Sequence, residues 1–211
     1  AEPPDDYRLM LRRLGELGSR CLQAALHPGV IVGLSWGSGV HAVVSAMPVM
    51  PVLDSTIVQL IGAVGHGDPM IDGVELGRWL AQKLGASFRF LSAPLLVSDE
   101  AVAQALRHER INEETLTLAA QAEVAVIGIG TPVPEYSSLL RAGYLSRGDL
   151  EELIAAGVVG DVVAHQFDGS DKTDAAHFTH QVVGFETTKL FHHVGASLAG
   201  IFHQAALLDD A

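Results

Sequence analysis

The chain is poor in cations. Thirteen Lys and Arg stand against 25 Asp and Glu over 211 residues, a formal net charge of −12, and no basic cluster is longer than Arg12-Arg13. Non-specific affinity for nucleic acid comes from neutralising phosphates with Lys and Arg, so these residues alone are excluded as a nucleic-acid surface; a separate basic module would be required. The acid excess also disfavours an anionic membrane surface, and no segment pairs a basic face with an apolar one. Cysteine is almost absent. Cys21 stands alone, cannot form an internal disulfide, and lies in a helical pattern, which predicts a buried, reduced thiol in a cytoplasmic protein. No apolar run reaches the roughly 18 residues that a membrane span needs. Repeats, low-complexity tracts and linkers are also missing. Without an H-E-x-x-H or C-x-x-C motif, the ten histidines, among them His177, His180, His192, His193 and His203, lack a supporting ligand set. Neither a metal nor a cofactor is expected.

What is present is a chain 48% apolar, long enough to bury a sizeable core and read as one domain over residues 1–211. It begins at Ala1 without a methionine or signal peptide, which suggests a processed or excised piece of something longer. Residues 5–27 carry Met10, Leu14, Leu17 and Cys21 at helical spacing and predict a leading amphipathic helix. His27-Pro28-Gly29 ends it, and strand-like and helix-like stretches then alternate as in a parallel α/β domain. Strands are predicted at 30–35, 56–62, 87–92, 123–128, 160–167, 180–185 and 190–195. Helices fit 39–47, 70–84, 99–107, 110–121, 147–156 and 197–207.

The first strand, with Val30, Ile31, Val32 and Leu34, empties into Gly33-Leu34-Ser35-Trp36-Gly37-Ser38-Gly39. Such a strand–loop–helix turn aims free amides and the positive end of a helix dipole at one point, which suits a small anion. Glycines also follow or open other strands, at Gly62 and Gly65, at Gly128 and Gly130, and at Gly160 before Asp161. In open α/β sheets the ligand crevice lies outside the carboxyl ends of the strands, where such loops gather. Gly33-Leu34-Ser35-Trp36-Gly37 also matches the nucleophile elbow G-x-S-x-G, but no earlier strand exists to supply an oxyanion donor. The glycine spacing is not that of a Rossmann fingerprint, and no Lys follows to make a Walker loop. Asp161, beside the proposed crevice, reads either as a carboxylate facing sugar hydroxyls or as a turn cap.

The ordered motifs Gly33–Gly39, Val58-Gln59-Leu60-Ile61-Gly62, Ala93-Pro94-Leu95-Leu96-Val97 and Ala125-Val126-Ile127-Gly128-Ile129-Gly130 resemble the effector-binding domain of SorC-type sugar-sensing transcriptional regulators. Ser138–Leu145, Gly157–Val162, Phe167-Asp168 and Val182-Val183-Gly184 continue the resemblance in order. It implies a Rossmann-like parallel-sheet domain of the glucosamine-phosphate isomerase, ribose-phosphate isomerase and CoA-transferase type, with a small additional strand layer. A sugar or sugar phosphate would bind above the strand ends. Family members carry an N-terminal helix-turn-helix that reads operator DNA and assemble as dimers or tetramers; this chain shows no such module, so DNA would be met only through a segment it lacks.

Carried over by position, the resemblance implies that Trp36, Gly37, Ser38 and Gly39 form the first phosphate or hydroxyl loop, with Gln59 and Gly62 beside it. Gly128 and Gly130, after the fourth predicted strand, would also bind the ligand, and Asp161 would be the sugar-facing carboxylate. His165 stands where relatives often place Arg or His. Where many relatives have a late Gly-Gly-x-x-Lys motif, this chain has Gly195-Ala196-Ser197-Leu198, which keeps Gly195 and Ser197 in the expected site without the lysine. Ile61 likewise replaces a polar or basic residue. A doubly charged phosphate would then rest on amides, hydroxyls and a helix terminus, which admits an unphosphorylated or weakly acidic sugar derivative. Two other readings are an aldose–ketose isomerase with Asp161 as base, and an oligomerisation domain that has lost its ligand.

Overall fold

The computed structural model describes residues 5–65, 72–168, 181–184 and 199–201. Helix α1 (Asp5–Ala25) leads into strand β1 (Ile31–Leu34), helix α2 (Ser38–Ala46) and strand β2 (Thr56–Gln59). Then come α3 (Gly73–Leu84), β3 (Ser87–Arg89), α4 (Glu100–His108), α5 (Arg110–Ala119) and β4 (Val124–Gly130). A short α6 (Ser138–Arg141), α7 (Arg147–Ala155), β5 (Val158–Val162), β6 (His165–Asp168) and β7 (Ala199–Ile201) complete the described elements.

The strands run in the order β3-β2-β1-β4-β5-β6, with β7 pairing β4. Strands β1, β2, β3, β4 and β7 are mutually parallel where they pair, and β5 joins β4 and β6 antiparallel. This is the expected α/β sheet with its small extra strand layer. β4 serves both parts: Val124–Val126 pair with β1, whereas Ile129 and Gly130 pair with Val162 and Asp161 of β5. Its end therefore leaves the parallel sheet and becomes the edge of the hairpin. Val30, Val32, Leu34, Ile57, Val43 and Leu80 fill one apolar core. Val58, Leu60, Ala125, Ile127, Leu150 and Val162 fill another. Burial of the central strands on both faces explains their continuous apolar runs.

Helix ends follow local chemistry. Asp72, Asp99, Ser137 and Ser146 each accept a hydrogen bond from an amide in the first turn of α3, α4, α6 and α7, and Ser146 with Asp149 completes a capping box. Gly85 ends α3 in the left-handed conformation, at φ 63°.

Several expectations need correction. The single strand predicted over 160–167 is two strands, β5 and β6, because Val163 and Ala164 turn the chain at φ 54° and 62°. Neither residue is of a type that usually adopts positive φ, so nothing in the sequence marked the turn. Residues 199–201 are strand β7, within the helix predicted for 197–207. The strand predicted at 180–185 is represented by bridges from Val182 to Leu96 and from Gly184 to Ile61, and 190–195 lies outside the described residues. Cys21 is exposed rather than buried, and Leu17 is 58% exposed. The face of α1 turned inward instead carries Tyr7, Gly15, Ser19 and Leu22. A methyl group on Gly15 would collide with the Ala42 carbonyl, and Ser19 donates to Ala46 O at 3.1 Å. Small residues let α1 and α2 approach closely, and a count of apolar positions does not register them.

Candidate functional site

The loop after β1 is built from the backbone. Ser35 N donates to Val126 O at 3.0 Å, which ties the loop to β4, and Gly37 then takes φ 108°, a conformation that favours glycine. His41 N donates to Gly37 O at 2.9 Å and closes the first turn of α2. Gly37 has no side chain with which to cap that turn. The first amides of α2 and the positive end of its dipole are thus available to a ligand.

Facing this turn, Gly128 and Gly130 on β4 and Asp161 on β5 form the other wall of a cleft. Ser35, Trp36, Gly37, Ser38, Gly39, Gly128, Ile129, Gly130, Tyr136, Ser138, Asp161 and Val163 line it. Gly128 runs close to the loop: a methyl group there would stand 3.4 Å from the Trp36 carbonyl oxygen. Gly130 pairs directly with Asp161, and a methyl group on it would overlap the Asp161 carboxylate. The glycine is what allows the carboxyl to lie against β4. Burial pushes the Asp161 carboxyl up to about 6, against the opposing effect of a hydrogen bond from the Ala164 amide.

The opposite rim holds residues that the sequence reading did not assign to the site. Tyr7 of α1 is stacked on Tyr136, centroids 5.2 Å apart, and its hydroxyl shares a 3.4 Å hydrogen bond with Ser38 Oγ. Burial raises the Tyr7 phenol above its ordinary value. Arg141 donates to Tyr136 O at 3.2 Å and to Ser138 Oγ at 3.0 Å, so an exposed guanidinium stands beside the lining. The cleft therefore has a cation at its rim, although neither glycine loop contains Lys or Arg. Ser138-Leu139-Leu140-Arg141 belongs to a motif of the resemblance, but no linear signal tied it to the glycine loop a hundred positions earlier.

Of the residues expected in the site, Trp36, Gly37, Ser38, Gly39, Gly128, Gly130 and Asp161 meet in this cleft. Gln59, Gly62 and His165 lie outside its lining. Gln59 is fully buried and accepts from Leu91 N at 3.1 Å through Oε1. Gly62 donates its amide to Val183 O and packs against the Ala93-Pro94 backbone. His165 is buried, with Nδ1 3.0 Å from Val163 O. Gly195 and Ser197 lie outside the described residues. Ser35, the serine of the elbow-like pattern, is 1% exposed, and the described residues that line the cleft include no histidine to act on it. Among the described residues no three His, Cys, Asp or Glu side chains are grouped to hold a metal ion, and no helix is long and apolar enough to cross a membrane.

A family model described as "Putative sugar-binding domain" matches residues 1–196. The deoxyribonucleoside regulator of Bacillus subtilis (strain 168) is 24% identical over 188 residues, which cover 89% of this chain and 59% of that protein. The transcriptional regulator LsrR of Klebsiella pneumoniae subsp. pneumoniae is 29% identical over 163 residues, 76% of this chain and 48% of that one. The chain thus spans about half to three-fifths of the length of these relatives. A DeoR family transcriptional regulator from Listeria monocytogenes has the same fold, with a TM-score of 0.80 at 23% identity over 92% of this chain and 75% of that chain. So does the full-length sorbitol operon regulator SorC from Klebsiella pneumoniae, with a TM-score of 0.77 at 22% identity over 89% and 59%.

Proposed function

This chain belongs to the sugar-binding domain family of SorC/DeoR-type transcriptional regulators, and on that premise we propose that it is the effector-sensing and oligomerising part of such a regulator. A sugar or sugar phosphate occupies the cleft between the β1–α2 loop and β4–β5. One observation carries the reading: the open first turn of α2 and the Asp161 carboxyl converge on the same cleft from opposite sides. The amides and Ser38 receive an anionic or hydroxyl group, and Asp161 reads a hydroxyl at the other end. Arg141, beside Ser138, is the cation within reach of a phosphate.

In this reading the domain acts in the cytoplasm as part of a homodimer or homotetramer. Operator DNA is met by a helix-turn-helix elsewhere in the full-length regulator, and ligand binding biases the arrangement of subunits. The site serves sensing rather than turnover. The relatives named as transcriptional regulators support this, although Asp161, the sole carboxylate among the described lining residues, is the group that would serve as base in an aldose–ketose isomerase.

The test is a thermal-shift titration with pentoses, hexoses, polyols and their phosphates. A ligand that binds the folded state stabilises it by mass action, by about 2.7 kcal/mol at a free concentration a hundred times Kd, and so raises the melting temperature. No shift with any member of the panel would count against the sugar-sensing reading. Conversion of an aldose phosphate to its ketose would reassign the site to catalysis.

A further inference from the structure

Gln166 on β6 is 2% exposed, yet neither its Nε2 nor its Oε1 meets a hydrogen-bond partner among the described residues. The side chain lines a second, smaller cavity behind the cleft, with Thr131, Ser137, Gly160 and Asp161 among the other walls. Leu139, Leu145, Leu150, Leu153 and Val158 make the rest of it apolar. Asp161 belongs to both walls, that of the cleft and that of this cavity, and pairs with Gln166 across the β5–β6 ladder.

The chemistry of the wall specifies the occupant. A buried carboxamide offers one acceptor and two donors, and leaving both ends unmet is costly. Thr131 Oγ1 accepts from Val133 N, and Ser137 Oγ accepts from Leu140 N, so each hydroxyl retains a proton to donate. An apolar group would satisfy none of these atoms. An anion would meet the donors but would lie against the Asp161 carboxyl and leave Gln166 Oε1 unmet. A hydroxyl both donates and accepts. The space, about 10 Å³, has room for one such group.

We propose that Gln166, with Thr131 and Ser137, forms a buried subsite behind Asp161 that holds a single hydroxyl-bearing group, either a water or a hydroxyl of the molecule bound in the cleft. Only the second source rests on the sugar-binding reading. When the cleft is empty the group is water, and a ligand hydroxyl that reaches past Asp161 takes its place. Recognition there depends on the hydroxyl and not on a phosphate.

The experiment combines side-chain amide NMR with binding. In the chain alone, the Gln166 Nε2 protons should show a nuclear Overhauser effect to a long-lived water, absent in Gln166→Leu. Gln166→Met serves as a second variant of similar volume should the first fold poorly. D-ribose 5-phosphate carries hydroxyls and inorganic phosphate does not. The variants should bind the sugar phosphate about tenfold more weakly, the size of one neutral hydrogen-bonding pair, and inorganic phosphate unchanged. Loss of the water signal when ribose 5-phosphate binds assigns the group to the ligand; its persistence assigns it to water. A water signal without binding of either probe supports the subsite while counting against the sugar-phosphate reading. No water signal, together with no loss of affinity in the variants, overturns the proposal whether or not the wild type binds the probes.

Discussion

Gly130 and Asp161 constrain each other across the β4–β5 ladder. Because a methyl group at 130 would overlap the carboxylate, Gly130→Ala should destabilise the chain by about 1–3 kcal/mol, the cost of overpacking. In an Asp161→Ala background the loss should be clearly smaller. A double-mutant cycle by urea unfolding measures the difference, and strictly additive losses would show that the two do not meet. Asp161 makes a second prediction through its pKa, about 6 in the fold against an ordinary 3.8. The folded chain holds this proton where the unfolded chain has released it. The associated stability is therefore fully present below about pH 4 and lost as pH rises through 6. Asp161→Asn should be more stable than wild type at pH 8 by at most about 3 kcal/mol, with the gap closing toward pH 4. A pH-independent gap, measured by urea unfolding at both ends of the range, would assign the burial cost to another group. Asp161 and Gly130 were both legible as site candidates, because an acid beside glycine is unusual in an apolar run. Their mutual contact was not, since the strand register that opposes them is a long-range property.

Helix α2 is held at its two ends by different means. Its N-terminus opens on the cleft with no side-chain cap, whereas Lys83 of α3 donates to the carbonyls of Val44, Ser45 and Met47 at its C-terminus, at 2.8, 2.9 and 2.6 Å. The Lys83 ammonium also lies 4.7 Å from the centre of the Trp79 ring. A cation there complements the negative end of the dipole and satisfies carbonyls that the helix leaves over. Lys83→Met should cost about 1–2 kcal/mol in chemical denaturation, and a loss near zero would show that water replaces the ammonium without penalty. Most helices and the central strands were legible to within a few residues, because two-sided burial and end signals such as Asp99 and Ser146 are written locally. The hairpin was not. Val163 and Ala164 turn the chain at positive φ without glycine or asparagine, held there by the antiparallel pairing of β5 with β6 and by the Ala164 amide on the Asp161 carboxyl. Nor was the inward face of α1, where Gly15 and Ser19 serve by being small.

Across the whole molecule, the parallel sheet places the β1–α2 turn and the end of β4 side by side, and the departure of β4 from that sheet brings Asp161 over them. The net charge of −12 and the lack of basic clusters make these residues a poor surface for nucleic acid. The sequence by itself determined the fold class, the glycine loop at Gly37–Gly39 and the candidacy of Asp161, because periodicity, glycine and charge act within a few residues of where they are read. Tertiary structure alone decided that Arg141 and Tyr7 stand at the rim, that Gln59 and Gly62 pack outside the cleft, and that Gln166 faces a second cavity. Those placements follow from strand register and helix packing, which bring together residues that share no pattern along the chain.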